Sequence, residues 1–263
     1  MERRESIKRV FYMIAPFAMY YVCLQMVATL LTIFIREYAK SSEKLAVFVA
    51  ECSGTVTGAI SLISFLISGM TVFLYYRQKE EMKWKVEPQM FLSAGIGLFL
   101  ALGLNLAMGY ICQNLPIYEE QLDRASYNAD VPMGLGIVLY ILVSPLVEEL
   151  VFRWLLVGRI RQHLGIPLAV FTSAIFFGFY HGNILQGIYA TMMGLILALV
   201  YVWSGSLWHP VLLHMAANAA IYLTPFLPEK CKIIMSSVWS CAIYLTAGIL
   251  LIAVLFRTYR KKV

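Results

Sequence analysis

Two adjacent carboxylates, a guanidinium, two imidazoles and a carboxamide interrupt stretches of sequence that are otherwise apolar. They fall in Ser144-Pro145-Leu146-Val147-Glu148-Glu149-Leu150-Val151-Phe152-Arg153, in Phe176-Phe177-Gly178-Phe179-Tyr180-His181-Gly182-Asn183 and in Leu207-Trp208-His209-Pro210-Val211-Leu212-Leu213-His214-Met215-Ala216-Ala217-Asn218. A carboxylate and an imidazole that share a water can deprotonate it for attack on a carbonyl, with the base tuned by a low-dielectric surrounding. A second imidazole with a carboxamide can donate hydrogen bonds to the oxyanion that forms. Together these groups make a kit for peptide hydrolysis without a covalent intermediate.

Helical spacing sorts them further. Glu149 and Arg153 are four apart, one turn along the same face with the acid N-terminal, and can neutralise one another. Glu148 points about 100° away and has no basic partner within helical reach on its own segment, so it is the carboxylate left for chemistry. Pro145 cannot donate to the helix ladder and is expected to loosen or kink the helix beside Glu148. His214 and Asn218 share a face, as do Phe177 and His181, which sets an aromatic ring beside that imidazole. Serine chemistry at Ser144 is disfavoured, since no histidine shares its helix and nothing fixes a triad. His209, beside Trp208 and Pro210, reads as interfacial, and His163 as a loop residue with no role.

The elements that must position these groups are membrane helices. Of 263 residues, 60% are hydrophobic and only 14% are charged, and the mean hydropathy is +0.74. Such a chain cannot hide its apolar surface in one core, and the apolar residues fall into runs long enough to cross hydrocarbon ~30 Å thick. Eight spans are predicted, at about 10–35, 55–76, 89–111, 133–157, 166–182, 184–203, 207–225 and 233–256. Residues 45–54, with Glu51, are an interfacial turn or an extension of the second span. The predicted architecture is thus an all-α polytopic bundle in a single integral membrane domain over 1–263, with the motif-bearing core at about 133–225. Very short links near Gly182-Asn183 and Ser204-Gly205-Ser206 make the helices they join antiparallel neighbours.

The net charge of +6 does not point to nucleic acid, because the Lys and Arg residues sit in the short segments between spans, where they set orientation. With a cytoplasmic N-terminus, inside segments carry fourteen of them and outside segments six, which favours both termini inside a bacterial cell membrane. The acidic loop with Glu119, Glu120, Asp123 and Asp130 then faces outward. The N-terminal run has no small-residue cleavage site and reads as a retained first span. Five scattered cysteines without CxxC spacing read as buried hydrophobes rather than as a disulfide framework or zinc knuckle.

The set Glu148-Glu149-xxx-Arg153, Phe177-xxx-His181 and His214-xxx-Asn218 resembles the three motifs of the CAAX protease and bacteriocin-processing family of glutamate-type intramembrane endopeptidases. The Gly205-Ser206-Leu207-Trp208 lead into the third motif is similar as well. The resemblance implies that Glu148 and His181 activate water, that His214 and Asn218 form the oxyanion hole, and that Glu149 and Arg153 support them. It implies no cofactor and a peptide or protein substrate at the membrane, and it leaves open whether that substrate is prenylated. Three other readings remain in play. A zinc peptidase would use Glu148, Glu149, His181 and His214, although adjacent glutamates cannot both face one ion from a regular helix and no HExxH is present. A non-catalytic scaffold, sensor or immunity protein would keep the bundle without the chemistry, and a transporter would use Glu148 and His181 as a proton relay. One difficulty stands. With straight helices, Glu148 lies ~22 Å in from one face and His181 a similar distance from the other, so the two fall at different depths.

Overall fold

The computed structural model describes residues 2–116 and 130–260. All regular structure among them is helical. In chain order the elements are α1 (Glu2–Ala39), α2 (Glu43–Glu51), α3 (Ser53–Tyr76) and α4 (Met90–Cys112), followed by one long helix α5 over 133–164. Then come α6 over 166–180, α7 (Ile184–Ser204), α8 (Trp208–Leu223), α9 (Glu229–Met235) and α10 (Val238–Tyr259). The stretches long and apolar enough to cross a membrane number six among the described residues, with Met133–Tyr180 taken as one. Divided at the Gly165 turn, and joined by the 16-residue α8, they correspond to the eight spans expected from the sequence. The protein is a multi-pass membrane protein. Three boundaries differ: residues 43–51 form a separate helix, the fourth span runs on to 164, and the last span begins at Val238, where the Ser237 side chain caps it by accepting from the Ser240 N–H. Of the acidic loop, Glu119, Glu120 and Asp123 lie outside the described residues. All five cysteines are free.

The centre of the bundle is α5. Residues 151–160 are buried without interruption, because the other helices pack around this one rather than beside it. Its ladder is irregular: Ile137–Val143 and Leu150–Val157 are wound in wider π-type turns. The first has a reason in the sequence. The Ser144 N–H reaches back five residues to the Leu139 carbonyl, and the next donor on that register would be Pro145, which has no N–H. The Tyr140 carbonyl is thereby left over, and the Asn218 Nδ2 of α8 takes it at 2.9 Å. The loosening predicted at Pro145 is thus a helix-to-helix tie.

Between α5 and α6 the chain turns at Gly165, whose φ of 80° is the left-handed region that glycine enters without a Cβ penalty. On the other side, α8 packs chiefly on α4, and α10 on α4. The α4–α8 approach is close because Gly97 faces the Leu213 carbonyl, and any Cβ there would overlap it. Small residues at such crossings are how membrane helices gain contact when lipid supplies no hydrophobic contrast.

At the end of the bundle that carries both termini, polar groups tie the 77–88 segment to the helices. Arg159 pairs with Glu80 at 2.7 Å and donates to the Tyr12 carbonyl. The Leu207 N–H donates to the Lys83 carbonyl, and Ser206 exchanges two hydrogen bonds with the Lys85 backbone. The interfacial reading of His209 is corrected here: the residue is 0% exposed. Its Nδ1 is 2.8 Å from Ser93 Oγ and its Nε2 is 3.0 Å from the Tyr259 hydroxyl, which itself donates to Glu87. Imidazole in the interior needs partners on both nitrogens, and α4 and α10 supply them.

Candidate active site

The carboxylates come from the middle of α5. Glu148 is 3% exposed and Glu149 0%. Ser144, one turn earlier, donates its hydroxyl to Glu148 Oε1 at 2.8 Å. Glu149 does two jobs at once. Its Oε2 lies 2.8 Å from Arg153 Nε, in a contact too poorly aligned to count as a hydrogen bond, and its Oε1 lies 2.9 Å from His214 Nδ1. The expected Glu149–Arg153 pair is therefore present, but it also reaches across to α8.

Arg153 is itself 0% exposed. Its Nη1 donates to Ser173 Oγ at 3.1 Å, and the Ser173 hydroxyl in turn donates a hydrogen bond to the Phe152 carbonyl. The guanidinium also lies 4.9 Å from the Phe177 ring centroid. A charge this deep is tolerated only when surrounded by such partners.

The histidines meet around Phe177. This ring, 2% exposed, stands edge-on to His181 at 4.8 Å and to His214 at 5.6 Å between centroids. The His181 Nδ1 lies 2.7 Å from the Phe177 carbonyl. A carbonyl only accepts, so Nδ1 carries the hydrogen and Nε2 holds the lone pair in the neutral ring. By the same reasoning the Glu149 carboxylate fixes a proton on His214 Nδ1. The His214 Nε2 then faces Glu148 Oε2 at 3.7 Å, beyond hydrogen-bond reach.

The depth mismatch expected from straight spans does not occur. The fourth span does not end at 157 but runs on to 164 before the turn at Gly165. Counted from that turn, Glu148 is 17 residues before and His181 is 16 after, so the hairpin brings them to equal height. The last turn of α6 consequently lies against α5, with the Phe177 and Phe152 rings 5.0 Å apart.

Glu148, His181, His214, Asn218, Ser144 and Phe177 line one cavity of about 680 Å³. It extends toward the end of the bundle opposite the termini, where residues of α9 complete its wall. Tyr180 also lines it, held by a 2.8 Å hydrogen bond to the Tyr20 hydroxyl on α1. Among the described residues no group of three or more His, Cys, Asp or Glu side chains is disposed to hold a metal ion. All four residues singled out for chemistry thus converge, and so do Glu149, Arg153 and Phe177. The sequence reading missed Ser144 as a partner of Glu148, although a hydroxyl one turn before a buried carboxylate was a signal. It missed Ser173 and Tyr20 too, which nothing in their own helices marks.

Comparison with known proteins converges on the same segment. Residues 131–220 match the model of the family described as Type II CAAX prenyl endopeptidase Rce1-like. The candidate membrane peptidase YdiL of Bacillus subtilis (strain 168) is 26% identical over 184 residues, which cover 66% of this chain and 74% of that protein. The membrane-embedded CAAX protease MroQ of Staphylococcus aureus (strain USA300) is 26% identical over 189 residues, 66% of this chain and 76% of its own. No solved structure matches the chain. All four residues singled out for chemistry, and the three that support them, fall inside the matched segment.

Proposed function

We propose that this membrane protein, whose residues 131–220 carry the Rce1-like CAAX protease match, is an intramembrane peptidase of the glutamate type. In this reading Glu148 and His181 hold and activate the attacking water, without a metal. One observation carries the proposal. Glu148 Oε2 and His214 Nε2 stand 3.7 Å apart over a cavity, and each is held from behind by a partner outside the pair, Ser144 and Glu149 respectively. A single water oxygen can hydrogen-bond to both at ordinary distances, which is what a site awaiting a water requires.

The steps follow from the proton positions. The His181 Nε2 lone pair and the Glu148 carboxylate accept the hydrogens of one water, whose oxygen adds to the scissile carbonyl while Glu148 takes the proton. The developing oxyanion is met by Nε2–H of a doubly protonated His214, its charge balanced by Glu149, and by the second Nδ2 hydrogen of Asn218. The first is already spent on Tyr140, which fixes the carboxamide in place before substrate arrives. Collapse of the tetrahedral species breaks the C–N bond, and Glu148 returns its proton to the leaving amine. Both termini are proposed to be cytoplasmic, which puts the open end of the cavity toward the outer face.

The test is cleavage of a peptide library in detergent by wild type and Glu148→Gln, with and without exhaustive chelation. The amide keeps shape and the Ser144 hydrogen bond but cannot accept a proton, so turnover is expected to fall by about 10³-fold, within the range for general base loss. Chelation is expected to change nothing. Equal product patterns from the two proteins would sink the reading, and chelator-sensitive cleavage would replace it with a metal mechanism.

A further inference from the structure

The cavity holds polar groups that the proposed chemistry does not use. Gln25 of α1, Asn105 of α4 and Gln186 of α7 all line it. Their side chains have no hydrogen-bond partner among the described residues. Each sits on a membrane helix, where a polar group without a partner is costly and lipid offers none. Three separate helices therefore bring a carboxamide-bearing residue to the wall of the same space, Gln25 and Asn105 exposed and Gln186 half-buried. A carboxamide presents a donor and an acceptor together, the pair that each residue of an extended peptide backbone needs answered when it leaves water. An all-helical bundle has no strand edge to offer that backbone, and a wall of carboxamides can take its place.

One further group lies at the rim. Among the described residues lining the cavity, Lys232 is the charged one apart from Glu148 and the two histidines. It projects from α9, whose end is tied to α4 by the Tyr110 hydroxyl bonding the Ser236 carbonyl. Its resting partner is Glu229 at 2.6 Å, an i,i+3 pair with side chains 35% and 73% exposed. Such an exposed pair contributes little, so Lys232 can exchange it for another carboxylate at little cost.

We infer that the site takes an extended peptide segment bearing a carboxylate. Lys232 receives that carboxylate at the rim, and Gln25, Asn105 and Gln186 hydrogen-bond the main chain between the rim and Glu148. The inference rests on the peptidase reading for the identity of the ligand as a peptide, but it concerns recognition and not hydrolysis. The carboxylate has two possible sources, an Asp or Glu side chain or a free C-terminus, and the same ammonium serves either.

The experiment measures binding of labelled peptides to purified Glu148→Gln protein, with Lys232 intact or changed to Glu, and cleavage of the same peptides by the two proteins with Glu148 restored. The peptides share one core and differ at one flanking position (Glu, Gln or Lys), each with a free or an amidated C-terminus. With Lys232 intact, the Glu peptide or the free C-terminus is expected to bind about tenfold more tightly than the Lys or amidated peptide. In Lys232→Glu the order should invert, with the change in cleavage residing in KM. A side-chain source shows as dependence on the Glu/Gln/Lys position, and a terminal source as dependence on amidation. The same ranking in both proteins would overturn the inference. Binding that inverts without any cleavage would instead defeat the hydrolytic reading and leave recognition standing.

Discussion

Two histidines five residues apart on α8 are both buried, and their surroundings differ in one respect that separates structure from chemistry. At His209 both ring nitrogens are engaged. Tyr259 donates to Glu87, so its oxygen accepts from Nε2–H of His209, and Nδ1 is left to accept from Ser93. Both ring nitrogens and both hydroxyls in that chain have an answer inside the protein. Among the described residues, only Nδ1 of His214 is bound, to Glu149, and Nε2 faces a carboxylate at 3.7 Å, across a gap beyond hydrogen-bond distance. The hydrogen that the protein itself holds is on Nε2 at His209 and on Nδ1 at His214. A satisfied imidazole stiffens a helix contact, and a half-satisfied one lining a cavity is equipped to bind something else.

The largest effect expected is at the charge behind His214. Removing one partner of a buried ion pair leaves the other uncompensated, which costs about 3–5 kcal/mol. Arg153→Met should therefore lower thermal stability in detergent severely and cut activity with it, since Glu149 then loses the cation opposite His214. The double variant Arg153→Met with Glu149→Gln removes both charges and keeps an acceptor for His214 Nδ1. It should recover most of the stability and only part of the activity. Equal stability of the single and double variants would show that Glu149 and Arg153 are not one unit, and the contrast between the two histidines would lose its electrostatic basis.

The next test exchanges the histidines themselves. His214→Ala is expected to lower kcat by about 10²–10³-fold, the range for loss of one oxyanion donor, with a modest shift in melting. His209→Leu should do the reverse. It leaves Ser93 without its partner and takes from Tyr259 the N–H its oxygen accepts, although Tyr259 keeps Glu87, at about 1–3 kcal/mol of stability, while kcat per folded molecule stays near wild type. Parallel turnover and melting curves separate the two outcomes, and a matching fall in kcat for both variants would erase the distinction drawn here.

Much of this was legible in the sequence because lipid simplifies the reading. In an apolar run each charged residue is conspicuous, and helical spacing alone paired Glu149 with Arg153 and set Glu148 apart. The spans were legible for the same reason, since hydropathy has few competing explanations at this length. What could not be read is anything that depends on another helix. That His214 shares Glu149 with Arg153, that Ser173 bridges Arg153 to the Phe152 carbonyl, and that His209 is enclosed by α4 and α10 are all contacts between separate segments. The depth error had a simpler cause. By sequence the charged Arg159 and Arg161 mark the end of the apolar run at 157, whereas Arg159 is held within the protein by Glu80 and the Tyr12 carbonyl, and the helix continues past it.

Ser144 gives the smallest expected effect and the finest discrimination. It donates to Glu148 Oε1, so it shares with Glu149 the work of holding one member of the open pair from behind. If that is its whole contribution, Ser144→Ala removes one hydrogen bond to a charged group and lowers kcat/KM by about tenfold, corresponding to the lower end of ~1.5–3 kcal/mol for such bonds. Ser144→Thr, which retains the hydroxyl, should restore most of it. A nucleophilic serine would behave otherwise: the alanine variant would lose activity as fully as Glu148→Gln, and a phosphonylating inhibitor would label wild type at Ser144. Tenfold loss with threonine rescue and no label places the hydroxyl behind the base, and assigns the attacking oxygen to water.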